Sequence, residues 1–248
     1  MIIAHRGASF DAPENTLASV QMAWEQGADA VEIDVRMTRD GRIVLMHDKD
    51  AARTGGVKKL VADMTFSEIR GLDVGGWKGE RWAGERAPEL QEVLAVVPGG
   101  RVLFVEIKCG AEIVAPLIEA LSKAGFSGDR AAIMSFHPRV LKKVVRTLKE
   151  MPVYLLADVA PAAPPSYWEP TLDEMVHMAR DIGAKGLSVR DRPVVDNTFA
   201  ARLRGEGLRC FVWTVDDPER AKQLLEAGAD GIVTNRPGAI RPALDAAF

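Results

Sequence analysis

From residue 101 onward the chain alternates between short β-branched runs and amphipathic helical segments, a rhythm that few folds accommodate. Arg101–Lys108, Ala131–Phe136, Val153–Ala157, Gly186–Val189, Arg209–Val215 and Gly231–Thr234 predict strands. Between them Glu112–Ala124, Arg139–Glu150, Leu172–Ile182, Asn197–Glu206 and Pro218–Ala227 predict helices, and the Pro/Ala-rich run Ala160–Pro165 predicts a loop. In the first of these helices Ile113, Leu117, Ile118 and Leu121 share one face. Near-continuous apolar strands separated by helices imply a parallel sheet covered on both sides.

The first half adds strands at Ile2–His5 and Ala30–Arg36, with a helix over Thr16–Gln26 whose N-cap is Thr16, at the end of Pro13-Glu14-Asn15-Thr16. That makes eight parallel strands. A chain of 248 residues is close to the roughly 250 that a (β/α)8 TIM barrel needs. A further run, Ile43–His47, is too close to the second strand for a parallel crossover. Asp40-Gly41 signals a hairpin turn, so this run folds back antiparallel. Centring the turn there pairs Arg39 with Arg42 and brings His47 opposite Asp34. Residues 48–88, with a short helix at Ser67–Leu72 and a Gly/Trp-rich stretch, read as a small insertion over one barrel end, and barrel helices resume at Leu90–Val97.

Composition narrows the partners. A net charge of -3 supplies no basic field for nucleic acid and no polybasic patch for anionic lipid, so any anionic ligand needs a local site. No apolar run approaches the roughly 20 residues of a membrane span, and the N-terminus lacks a signal-peptide pattern, so a cytoplasmic location is expected. The two cysteines, Cys109 and Cys210, fall at opposite barrel ends, too far apart to bridge, and are expected to be free thiols.

Active sites of such barrels lie at the C-terminal ends of the strands, and polar residues inside apolar strands need explaining there. Val31-Glu32-Ile33-Asp34-Val35 puts Glu32 and Asp34 on one face, and Phe104-Val105-Glu106-Ile107-Lys108 does the same for Glu106 and Lys108. The first strand ends in His5-Arg6. Three converging carboxylates repel one another unless protonated or bound to a cation. An all-oxygen set favours one hard divalent ion, Mg²⁺, Ca²⁺ or Mn²⁺. The charges close: three carboxylates, one divalent ion, Arg6 and Lys108 sum to plus one, which a phosphodiester monoanion neutralises. His5 and His47 titrate near neutrality and can serve as base and acid in one displacement. His137 and His177 read as structural or surface residues. Trp213, ending a strand near the mouth, packs either against substrate or within the core, and Trp77 and Trp82 of the insertion are candidates for a binding wall.

The chain resembles the glycerophosphodiester phosphodiesterase family over nearly its whole length. The resemblance runs through His5-Arg6-Gly7, Pro13-Glu14-Asn15-Thr16, Glu32-Ile33-Asp34, Asp40-Gly41, His47-Asp48, Arg53-Thr54, Pro88-Glu89-Leu90, Glu106-Ile107-Lys108, Ser135-Phe136, Trp213-Thr214-Val215 and Gly228-Ala229-Asp230-Gly231-Ile232. It implies a barrel with a cap-like segment after the second strand. It also implies Glu32, Asp34 and Glu106 as metal ligands, His5 and His47 as the acid/base pair, and Arg6 and Lys108 as phosphate contacts. The implied reaction is attack of a glycerol hydroxyl on phosphorus, giving a cyclic phosphate that water opens to glycerol 3-phosphate. One position departs: Thr234 is followed by Asn235, where the family usually has aspartate. The competing readings are a related barrel phospholipase acting on intact lipid, and a non-catalytic protein that binds glycerophosphodiesters; the second would be expected to have lost a histidine or a carboxylate.

Overall fold

The computed structural model describes residues 1–161 and 168–246. In chain order its strands are β1 (Ile2–His5), β2 (Ala30–Met37), β3 (Ile43–Leu45), β4 (Asp50–Ala51), β5 (Val57–Leu60), β6 (Val102–Ile107), β7 (Ala131–Ser135), β8 (Val153–Ala157), β9 (Ala160–Pro161), β10 (Trp168–Glu169), β11 (Gly186–Arg190), β12 (Arg209–Trp213) and β13 (Gly231–Thr234). Among the described residues eight of these run parallel and close a barrel in the order β1, β2, β6, β7, β8, β11, β12, β13, with β13 returning to β1. The expected TIM barrel is therefore present, and strand ends differ from the sequence reading by one or two residues. The expected Ala160–Pro165 loop falls largely on residues 162–167, outside the described residues; β9 and β10 flank them as a short antiparallel ribbon.

Two apolar layers hold the barrel. Alternate strand residues such as Val31, Ile33, Val105 and Ile107 face outward and pack against the helices. The opposite parity, including Ile3, Ala30, Phe104, Tyr154 and Phe211, fills the interior. There Tyr154 and Phe211 meet edge to face with centroids 5.0 Å apart, plugging the barrel below its C-terminal mouth. The inward parity continues upward from this plug, so the next residues on each strand line the mouth.

Local chemistry sets the elements that shape that mouth. Thr16 caps the helix Leu17–Glu25 in a reciprocal capping box with Ser19, as its position after Pro13-Glu14-Asn15 predicts. Gly7, at φ 82, lies so close to this helix that a Cβ would sit 2.5 Å from Ser19, which only glycine avoids.

The hairpin corrects the expected register. Thr38 N–H donates to Arg42 O at 2.9 Å and Met37 faces Ile43, so the turn holds three residues, Arg39-Asp40-Gly41, with Gly41 left-handed at φ 77. The extra turn residue shifts the pairing by one, and Met46 rather than His47 donates its N–H to Asp34 O. β3 ends at Leu45, and His47 enters the mouth from the segment beyond. The Arg36 guanidinium holds the His47 carbonyl through two hydrogen bonds, 2.8 and 3.1 Å. Val61, Met64, Ile69 and Val74 form a small core against Val44 and Met46, beside the β4–β5 ribbon.

Candidate active site

The mouth holds a cavity of about 370 Å³ whose lining includes His5, Arg6, Glu32, His47, Glu106, Lys108 and Trp213. Asp34 lies fully buried at its base. His5, Arg6, Glu32, Asp34, His47, Glu106, Lys108 and Trp213 thus meet at one place. Trp77 and Trp82 lie outside this lining. His137 precedes the helix Pro138–Thr147 and His177 lies within Leu172–Ile182, and neither lines the cavity.

Strand register explains the convergence. His5 sits beside Glu32 across β1 and β2, and Asp34 beside Glu106 across β2 and β6. Neighbouring strands lie roughly 4.8 Å apart, so the carboxylates are forced together. One ligand oxygen from each of Glu32, Asp34 and Glu106 falls within 4.8 Å of the others. Among the described residues Glu32 Oε1 and Asp34 Oδ1 are buried without a hydrogen-bond partner, an expensive arrangement unless a cation completes it. The unpartnered oxygens fit a hard divalent ion.

Electrostatics agree with that fit. Burial, and then Asp34 and Glu106, push the Glu32 carboxyl well above the usual range. Burial and Asp34 push Glu106 up to about 7 against the pull of Lys108. For Asp34 burial acts upward too, but Arg6 and Lys108 outweigh it and hold the carboxyl low. Arg6 Nε pairs with Asp34 at 3.0 Å, and Lys108 Nζ sits 2.7 Å from Glu106 and 3.6 Å from Asp34. Arg6 adopts a left-handed φ of 56, which turns its N–H onto Glu32 Oε2 at 2.9 Å. Such backbone strain is concentrated at functional sites.

The two histidines have different partners. His5 Nδ1 lies 2.7 Å from the amide oxygen of Asn235. Burial and the adjacent Arg6 charge push this imidazole down to about 4. His47 Nδ1 lies 2.7 Å from the Asp48 carboxylate. Burial lowers His47 as well, while Asp34 and Asp48 pull it upward.

Several site residues escaped the reading of individual strands. Arg53 bonds Asp48 at 2.7 Å and grips both Glu14 oxygens, at 2.7 and 2.8 Å, and Glu14 bonds Arg6 at 3.0 Å. A charged chain therefore runs from His47 through Asp48, Arg53, Glu14 and Arg6 to Asp34. Glu14 sits in a loop and Arg53 in the short helix Ala52–Gly55, 39 residues apart, where strand parity carries no information. The far wall, with Phe136, Asp158, Ser188 and Arg190, follows from extending the inward parity of β7, β8 and β11.

The mouth of this (β/α)8 barrel joins three carboxylates, two cations and two histidines, and the carboxylates form a cluster that could hold a metal ion. The profile of the glycerophosphoryl diester phosphodiesterase family matches residues 5–239, and the chain belongs to that family. It is 36% identical over 245 residues to a glycerophosphodiester phosphodiesterase of Caldanaerobacter subterraneus, covering 96% of this chain and 94% of that one. A phosphodiesterase of Oleispira antarctica, solved in complex with its product sn-glycerol-3-phosphate, superposes with a TM-score of 0.88 at 28% identity, covering 99% of this chain and 96% of that one. The glycerophosphodiester phosphodiesterase of Agrobacterium tumefaciens matches with a TM-score of 0.80 at 26% identity, over 97% and 98% of the two chains.

Proposed function

We propose that this protein hydrolyses small glycerophosphodiesters to glycerol 3-phosphate and an alcohol, with one divalent cation held by Glu32, Asp34 and Glu106. The observation that carries this reading is the pair of buried carboxylate oxygens, Glu32 Oε1 and Asp34 Oδ1, that no hydrogen bond satisfies, beside Arg6 and Lys108. The product bound to the Oleispira relative supports the glycerophosphate half of the substrate. The cation, Mg²⁺, Ca²⁺ or Mn²⁺, would act as a Lewis acid on the phosphodiester and offset the charge of its three ligands.

The chain's own residues perform the remaining work. Arg6 and Lys108 receive the phosphoryl oxygens. His5 accepts the proton of the attacking glycerol hydroxyl as that oxygen bonds phosphorus. His47 donates a proton to the leaving alcohol oxygen as its bond to phosphorus breaks. A cyclic glycerophosphate remains, and water opens it with the two histidines in exchanged roles. The neutral partner of His5 suits a base, and the carboxylate partner of His47 suits an acid. Trp213 stands at the mouth 5.8 Å from Phe136 and forms part of the substrate wall. Unpaired thiols at Cys109 and Cys210 are in keeping with a reducing cytoplasm.

The test is the fate of phosphorus. Phosphorus NMR of a digest of glycerophosphocholine, glycerophosphoethanolamine and glycerophosphoglycerol is expected to give glycerol 3-phosphate from each diester cleaved. Phosphocholine, or no cleavage of any diester by metal-loaded protein, overturns the reading.

A further inference from the structure

The Asn235 side chain is held from both ends. Its Nδ2 donates to Asp216 Oδ2 at 2.7 Å, and its backbone N–H donates to Asp216 Oδ1 at 2.7 Å. Thr234 Oγ1 also donates to Asp216 Oδ1, at 2.9 Å. On the other side Asn235 Oδ1 accepts from Ser9 Oγ at 2.8 Å and faces His5 Nδ1 at 2.7 Å. A flipped amide would place its oxygen 2.7 Å from a carboxylate oxygen and its NH₂ against the Ser9 hydroxyl and the imidazole. The first contact has no hydrogen to share, so Asp216 fixes which end of Asn235 reaches His5. The end that reaches it is an acceptor only, and a contact of 2.7 Å therefore requires the hydrogen to sit on His5 Nδ1.

We infer that Asn235, oriented by Asp216, is a positioning residue that locks His5 in its Nδ1–H tautomer and leaves Nε2 as the nitrogen that takes the substrate proton. The inference rests on the proposed role of His5 as base. The arrangement differs in kind from that at His47, whose Nδ1 faces a carboxylate. An amide oxygen orients the ring as a carboxylate does but adds no charge that would favour the imidazolium. This gives position 235, where the chain departs from the family's aspartate, a role of its own. Asp216 and Asn235 act together: an aspartate at 235 alone would set two carboxylate oxygens 2.7 Å apart.

The test reads the tautomer directly and needs neither metal nor turnover. The chain has four histidines, so ¹⁵N-histidine NMR of metal-free protein above neutral pH is assignable by loss of signal in His5→Gln. The expected spectrum shows His5 with a protonated Nδ1 and a bare Nε2. In Asp216→Asn the Asn235 backbone N–H still takes the amide oxygen, so the new NH₂ faces the Asn235 side chain, which flips, and the Nε2–H tautomer of His5 becomes populated. With metal restored, Asp216→Asn and Asn235→Ala are each expected to lose between about tenfold and ten-thousandfold in kcat, with KM changed less than about threefold. An Nε2–H tautomer in the parent protein overturns the inference, as does wild-type kcat in both variants. If the tautomer is found and the variants lose kcat only through unfolding, seen as lost ¹⁵N dispersion, the positioning role falls too. Absence of diester cleavage by well-folded, metal-loaded parent protein would instead refute the proposed function, whatever the tautomer.

Discussion

Asn15 and Asp34 clasp each other: Asn15 Nδ2 donates to Asp34 Oδ2 at 2.8 Å, and the Asp34 N–H donates to Asn15 Oδ1 at 3.0 Å. The pair commits one carboxylate oxygen of Asp34 and leaves Oδ1 aimed at the ligand cluster. Asn15 is buried in a left-handed conformation with φ 57, which asparagine tolerates better than most residues. Asn15→Gly keeps that backbone and deletes both bonds. It is expected to weaken divalent-ion binding by roughly 10–100-fold and to destabilise the fold by about 1–3 kcal/mol. Unchanged affinity by calorimetry would show that Asp34 needs no such support.

Ion binding should be linked to pH. Glu106 is pushed up to about 7 and Glu32 well above its usual range, so below neutrality the metal-free cluster carries protons. A divalent ion needs the ionised carboxylates and must displace those protons. Affinity is therefore expected to rise as pH increases from about 5 to 8, with proton release that calorimetry in buffers of different ionisation enthalpy detects. Affinity that is flat across this window would contradict the assignment of these two residues as ligands.

Asp48 should set the alkaline limb of activity. Its hydrogen bond to His47 raises the affinity of that imidazole for its proton. Arg53 and His47 together outweigh burial and bring Asp48 itself down to about 2, so it is ionised throughout the working range. Asp48→Asn removes the negative charge, His47 then loses its proton at lower pH, and an acid role for His47 moves the alkaline limb of kcat/KM downward. A downward shift of the acid limb, with the alkaline limb unmoved, would exchange the roles of the two histidines.

The cysteines offer a check on packing away from the site. Cys210 is buried, and burial with the nearby Asp230 pushes its thiol up to about 12; burial raises Cys109 as well. Two thiols are expected to titrate in denaturant without reductant. In the native protein at pH 8, Cys210 should resist alkylation, because so little thiolate forms. Rapid modification of Cys210 without unfolding would mean that this side of the barrel opens.

Much of the site could be read from the chain because strand parity is a local rule. Glu32, Asp34, Glu106 and Lys108 each follow from a two-residue period within an apolar run, and the barrel supplies the rest. The hairpin was harder, since Gly41 admits two turn lengths that differ by one residue and only the folded ladder selects between them. His47 arrived in the site despite the wrong register, because Arg36 anchors its carbonyl after the strand has ended. Glu14, Arg53, Asp216 and Asn235 follow no period. They lie outside the strands, Arg53 in a one-turn helix and the others in loops, and their partnerships span up to 230 residues, as between His5 and Asn235.

The most direct test of metal-dependent diester hydrolysis is glycerol 3-phosphate release from glycerophosphocholine, glycerophosphoethanolamine and glycerophosphoglycerol by metal-depleted protein as Mg²⁺, Ca²⁺ or Mn²⁺ is added back. Release should vanish in excess chelator and return in saturating fashion with at least one of these ions. Glu106→Ala should demand more ion and turn over more slowly at saturation. Full turnover in excess chelator, with no metal detected by elemental analysis, would contradict the central claim.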